Sequence, residues 1–307
     1  MPKPTLTFGH LKITDHLILG TAIARSQNGA GPFQHFDLQA KAYRGWNPLA
    51  EDLKAGNIDG AFILAPLAME LYHGNTPIKM LLQAHKAGSI VIKNARANIN
   101  SLADFKGKNV LIPHYLSVHH MLFDRMLRES GLDIGPGKDV VFDVVAPADI
   151  PEIIEWDERG SVGGFIVAEP FGSQVVKAGY GEEFALSKDV WPDHPCCVVV
   201  VQDNLLEQYP DALHELTAAL VKSGRYIEEN PDKAAAIGAG FLSQDQEVVK
   251  KVLTEPEDRV TYDRLYPTLE DLEKMQNYLT GTIQAMSGKI DLEKFVDLSF
   301  AQAAGAK

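Results

Sequence analysis

The chain has 307 residues, 45% hydrophobic and 23% charged, with 29 basic side chains against 41 acidic ones for a formal charge of −12. That composition supports a sizeable core and excludes a protein built to grip a nucleic-acid backbone, which needs a basic face. No stretch approaches the roughly 20 apolar residues that a membrane-spanning helix requires.

The first half alternates strand-like and helix-like segments. Thr5–Ile13 reads as a strand, Thr14-Asp15 as a cap, and Leu17–Ala24 as the helix that follows. Asp37–Tyr43 is strand-like, and Asn47-Pro48 opens an amphipathic helix through Lys54 that Gly56-Asn57 ends. Ile58–Leu64 reads as a buried strand, Pro66–Tyr72 as a helix, Ile78–His85 and Ser89–Lys93 as strands, and Ser101–Phe105 as a short helix. The middle repeats the rhythm: strand Asn109–Ile112, helix Val118–Ser130, strand Val140–Val145, helix Ala148–Glu158, strand Val162–Val167, helix Phe171–Ala178 and a strand around Cys196–Val201. From Asn204 onward the pattern is helical, over Asn204–Tyr209, Asp211–Glu229, Pro231–Phe241, Asp245–Leu253 and Leu269–Met286. Such a tail has no sheet of its own, so it is expected to pack on the first. Two similar α/β units with mostly parallel sheets follow from this order. Facing each other, they form a cleft where strand ends and helix N-termini converge, a setting suited to a small anion.

The two cysteines are adjacent, in Pro195-Cys196-Cys197-Val198. In an extended strand they would point to opposite faces, which argues against a disulfide and for core positions. Two neighbouring thiols without a second pair do not make a tetrahedral zinc pattern, and no metal or cofactor is expected. Gly-x-Ser-x-Gly, the phosphate-loop pattern and His-Glu-x-x-His are all missing, so no catalytic signature is present. Met1-Pro2-Lys3-Pro4 shows no charged and then apolar leader. The expected location is periplasmic or lipid-anchored outside the cytoplasm if a leader has been removed, and cytoplasmic if Met1 is the native start.

Several segments carry a resemblance. Leu49–Ala61, with Gly56-Asn57-Ile58-Asp59-Gly60-Ala61, runs into Leu64-Ala65-Pro66-Leu67. Downstream lie Ser101-Leu102-Ala103-Asp104-Phe105-Lys106-Gly107-Lys108, Gly164–Phe171 with Glu169-Pro170-Phe171, Trp191-Pro192-Asp193-His194-Pro195, and Tyr226–Ala235. In this order and spacing they resemble the substrate-binding proteins of ABC importers, of the nitrate, bicarbonate, sulfonate and taurine type. The resemblance implies a two-lobed periplasmic-binding-protein fold of type II, with crossover strands near Ser89–Lys93 and Cys196–Val201. It implies lobe I from residues 1–93 and 202–307, and lobe II from 94–201. It also implies a monomeric receptor that captures a small anionic solute by hinge closure and hands it to a permease. The alternatives are an enzyme on the same scaffold, as in menaquinone- or thiamine-pathway proteins, and a cytoplasmic ligand sensor.

The candidate ligand residues sit where strands meet helices or loops. Thr14, Asp15 and His16 follow the first strand, with Thr14 and nearby amides placed to hold an anion and His16 to donate. Trp46 is a candidate cleft wall, and Ala65, Pro66 and Leu67 form a turn directly after a strand. His85 ends a strand near the first crossover. His114, Ser117 and His119 lie in a loop entering a helix, with His120 facing outward. Glu169, Phe171 and His194 come from the second unit. Glu169 is more simply structural, because a buried carboxylate beside an anion is costly and needs backbone N–H groups or a basic partner. Histidines here are read as hydrogen-bonding groups rather than metal ligands.

Overall fold

The computed structural model describes residues 3–28 and 31–307, so the Met1-Pro2 start lies outside the described residues. The first sheet contains β1 (Thr5–Leu11), β2 (Asp37–Tyr43), β3 (Gly60–Leu64) and β4 (Ile78–Gln83). A two-residue strand, β5 (Lys86–Ala87), leads into a second sheet made of β6 (Ser89–Asn94), β7 (Lys108–Ile112), β8 (Val140–Val144), β9 (Val162–Ala168) and β10 (Gly181–Leu186). The chain then returns to the first sheet as β11 (Cys197–Gln202), and β12 (Val260–Thr261) pairs with β5.

The strand orders are β2-β1-β3-β11-β4 and β8-β7-β9-β6-β10, the same arrangement position for position. In each sheet β11 or β6 alone runs antiparallel to its neighbours, and the other strands are mutually parallel. β3 and β11 are buried along almost their whole length, as the apolar runs Gly60–Leu64 and Cys197–Val201 require of strands covered on both faces.

This pairing corrects the expected division of the chain. Ser89–Lys93 was assigned to the first lobe and Cys196–Val201 to the second, yet β6 hydrogen-bonds to β9 and β10 while β11 hydrogen-bonds to β3 and β4. The chain changes sheets in the segments before these strands, 84–88 and 187–196. β10, an edge strand with exposed Glu182 and Glu183, has little apolar periodicity and is absent from the sequence reading.

The tail also differs in part. Helices Pro210–Glu229 and Pro231–Leu242 pack on helix Leu17–Gln27, and Leu298–Ala303 lies on β4, all in the first lobe. Gln246–Thr254, however, meets the second-lobe helix Phe171–Lys177, and Leu269–Gly281 touches both Ala65–His73 and Val118–Glu129. The tail therefore straddles the lobes.

Candidate functional site

The ends of β1, β3, β6 and β9 meet in a closed seam. Thr14, on the 3₁₀ turn Thr14–His16, donates to the Glu169 carbonyl through both its amide (2.8 Å) and its hydroxyl (2.9 Å). Its own carbonyl accepts from the Tyr262 hydroxyl at 2.6 Å. The Glu169 carboxylate, fully buried, receives Arg259 Nη1 at 2.8 Å, the Ser173 amide at 2.9 Å and the Ser173 hydroxyl at 2.7 Å. Arg259 also reaches Glu183 at 2.6 Å. Burial pushes the Glu169 carboxyl above its ordinary value, with Arg259 opposing. Thus Thr14 and Glu169 join the lobes to each other, and Glu169 has the basic partner that its burial demands.

His16 is buried at the first-lobe side. Its Nδ1 lies 2.9 Å from the Leu11 amide and 3.1 Å from the Leu11 carbonyl; the tautomer in which Nδ1 accepts from the amide carries its proton on Nε2. Burial holds the imidazole well below its usual pKa, so the ring is neutral. The ring meets Trp46 edge-on, with centroids 5.8 Å apart. His16 Nε2 and Trp46 Nε1 are both buried without a hydrogen-bond partner. Two neutral N–H donors on touching rings stand ready for an acceptor.

Asp15 lies beside His85, with Oδ2 3.1 Å from Nε2. Burial raises the Asp15 carboxyl, and His85 opposes that rise. For His85 burial alone would lower the pKa, but the Asp15 carboxylate and its hydrogen bond lift it to about 10. The Cys197 amide points at the same Nε2 from 3.2 Å, and Cys196 Sγ is 3.8 Å from Asp15 Oδ2. Cys196 precedes β11, so strand alternation does not govern it; the two sulfurs lie on the same side, within 4.8 Å of each other and of the Asp15 and His85 ligand atoms. That corrects the opposite-faces expectation. The Ala65 amide donates to the Cys196 carbonyl at 2.9 Å, fixing the Ala65-Pro66-Leu67 helix start against this cluster.

From the second lobe, His119 Nε2 bonds to Ser89 Oγ at 2.9 Å, while Nδ1 has no partner. Burial, with His194 and His85 nearby, holds its pKa down at about 3. His194 is buried, pulled down to about 4 by burial, and its Nε2 is unpartnered. His114 bridges the lobes by bonding to Asn47 Oδ1 at 3.0 Å. Ser117 is absorbed in capping its helix: it accepts from the His120 amide at 3.1 Å and donates to the His114 carbonyl at 2.6 Å. His120 does not face outward. It is buried against Phe142, because the opening turn of its helix packs over β8. Phe171 borders a cavity of about 450 Å³ at one mouth of the seam, together with Leu11, Tyr43, Pro147 and the cations Lys12 and Arg44.

Arg259 and Tyr262 are absent from the sequence-based candidates; both lie between the helices Asp245–Leu253 and Leu269–Met286 expected in the tail. Ser89 and the two cysteines were read only as strand or core residues. A signal for Arg259 was its place directly after Glu255–Asp258 and before the apolar-alternating Val260-Thr261-Tyr262.

Two five-stranded sheets of matching order, the first completed by a strand that returns after the second is made, meet along a polar seam and define a two-lobed α/β fold. A family model described as NMT1-like matches residues 1–240, and the chain belongs to that family. Among solved structures, the ligand-binding component of an ABC-type import system from Staphylococcus aureus with zinc bound superposes with a TM-score of 0.86 at 23% identity. That match covers 98% of this chain and 99% of the other. The periplasmic nitrate-binding protein NrtA from Synechocystis PCC 6803 follows at 0.85 and 19%, covering 99% and 89%. These likenesses establish the periplasmic-binding-protein fold. Among curated relatives, the nitrate/nitrite binding protein NrtA of Nostoc sp. is 24% identical over 245 residues, 73% of this chain. The chain spans 54% of that relative and 29% of the nitrate import ATP-binding protein NrtC of Synechocystis sp., which is 27% identical over 201 residues. No helix among the described residues is long and apolar enough to cross a membrane.

Proposed function

We propose that the protein is the solute-binding component of an ABC import system and that its solute is a small anion of the nitrate, bicarbonate or sulfonate kind. The observation that carries this reading is the pair of buried, unpartnered N–H groups on His16 and Trp46 at the seam. An N–H left without an acceptor in the interior costs about 1–3 kcal/mol, and a bound oxyanion removes that cost. Lys12 at the mouth adds a local positive charge on a chain that is acidic as a whole, while Arg44 beside it is paired with Asp149 at 2.5 Å. Names among its relatives and structural neighbours agree with this ligand class. The lobes comprise the two sheets with their helices and close about the segments 84–88 and 187–196, with Thr14–Glu169 and Arg259–Glu169 as the latch. The partner is a membrane permease with its ATP-binding subunit, the receptor acts as a monomer, and it works outside the cytoplasm without turning over its ligand.

A thermal-shift series with nitrate, nitrite, bicarbonate, sulfate and short alkanesulfonates tests this, read beside native mass spectrometry. At least one anion raises the melting temperature of the unaltered chain and loses that effect in Trp46→Phe and His16→Phe. If no anion in the panel shifts the unaltered chain, the reading fails.

A further inference from the structure

We propose that Asp15, His85, Cys196 and Cys197 form a four-coordinate site for a thiophilic divalent cation of the zinc class. The four residues come from three distant parts of the chain, and all are fully buried. One ligand atom from each lies within 4.8 Å of every other. Zinc bonds of roughly 2.0 Å to nitrogen and oxygen and about 2.3 Å to sulfur give tetrahedral edges near 3.3 Å for N···O, 3.5 Å for S···O and 3.8 Å for S···S. The measured His85 Nε2 to Asp15 Oδ2 edge is 3.1 Å, and the Cys196 Sγ to Asp15 Oδ2 edge is 3.8 Å. Both are within a few tenths of an ångström of the ideal, and the remaining edges, none longer than 4.8 Å, contract by at most about 1 Å when an ion is bound.

The backbone around the ligands is already held. The Cys196 carbonyl accepts from Ala65, the Cys197 carbonyl from Ala84, and the Ala87 amide donates to His194, at 2.9, 3.0 and 3.0 Å. Two further atoms of the cluster, Asp15 Oδ1 and His85 Nδ1, are buried with no partner. Both face Gly88, where a Cβ would lie 2.9 Å from the first and 3.3 Å from the second. Desolvation penalises the buried carboxylate and imidazole, and it is against this polar pair that the two thiols are packed. Two sulfurs with one nitrogen and one oxygen match zinc or a similarly soft ion, whereas calcium and magnesium take oxygen. The donors His16 and Trp46 are not among the ligands, so the assignment stands apart from the anion reading.

The test uses the unaltered chain, stripped with chelator and titrated with Co²⁺ and then Zn²⁺. One equivalent of cobalt is expected to bring thiolate-to-metal charge-transfer absorption that zinc then bleaches. X-ray absorption of the zinc form is expected to show two sulfurs at about 2.3 Å and two lighter atoms at about 2.0 Å. Cys196→Ser and Cys197→Ser should each weaken binding at least tenfold, and His214→Ala, at an exposed position, should leave it unchanged. Absence of charge-transfer absorption at one equivalent, or a shell of nitrogen and oxygen alone, overturns the proposal in the unaltered protein whatever the variants do. An anion-induced thermal shift that persists in the stripped chain, beside a failed cobalt titration, defeats the metal site and leaves the anion reading intact.

Discussion

Thr14 spends both its amide and its hydroxyl on one acceptor, the carbonyl of Glu169, and so ties the first turn after β1 to the end of β9 in the opposite lobe. Replacing the hydroxyl, in Thr14→Val, keeps the amide bond and the side-chain shape. The expected loss is about 1 kcal/mol of stability together with a fall in ligand affinity. Urea melts and calorimetric titration measure the two. An affinity that stays level would show that this bond does not contribute to closure.

Arg259 is the charge that lets Glu169 exist at full burial. Arg259→Met leaves a buried carboxylate without its cation and should cost about 3–5 kcal/mol. Adding Glu169→Gln should recover a large part, since the uncompensated charge goes with it. The double-mutant cycle, read from chemical denaturation, is the check; strict additivity would contradict the pairing.

Trp46→Phe removes one of the two unpartnered N–H groups while keeping a ring against His16. Stability should change by less than about 2 kcal/mol, because the lost donor made no bond and the ring is only trimmed. Anion binding should nevertheless weaken tenfold or more. Equal losses in both measurements would make Trp46 a packing residue only.

Acid should open the molecule. His119 is held down at about 3 and His114 and His194 at about 4, chiefly by burial, against an ordinary value of 6.5. In that window the unfolded chain binds more protons than the folded one, so stability falls as pH drops from 6.5 toward 4. Each such histidine contributes roughly 2 kcal/mol of loss between pH 6.5 and 5. His85 has the opposite sign: raised to about 10, its contribution is full below 6.5 and disappears as pH climbs to 10. Denaturation midpoints across this range, with His119→Gln giving a shallower acid limb, decide the matter.

Gly224 sits on helix Pro210–Glu229 under the Tyr262 backbone, where a Cβ would come within 1.9 Å of the Tyr262 carbonyl oxygen. Gly224→Ala should cost about 3 kcal/mol and, by displacing Tyr262, loosen its hold on Thr14. A melting temperature equal to that of the parent would refute this.

The fold was largely readable because β3, β9 and β11 are short apolar runs bounded by turn residues, and the helices between them have clear stripes. Sheet membership of β6 and β11 was not readable, since an apolar strand carries no mark of which sheet it joins. The first-lobe side of the site was legible through Thr14, His16 and Trp46 at strand ends. Arg259 was hidden because its partner Glu169 lies 90 residues away, and its place between the acidic run Glu255–Asp258 and Val260-Thr261-Tyr262 does not name that partner. Cys196 and Cys197 were visible as a pair, but their neighbours Asp15 and His85 arrive only through tertiary folding.

The insertion of β11 between β3 and β4 bears on synthesis at the ribosome. The strands β6 through β10 emerge in one uninterrupted stretch and can finish pairing as soon as Leu186 has been made. β3 and β4, made earlier, must wait with an open slot until Gln202 appears. During that interval two hydrophobic borders stand uncovered, so the earlier-made half is the one most in need of a chaperone.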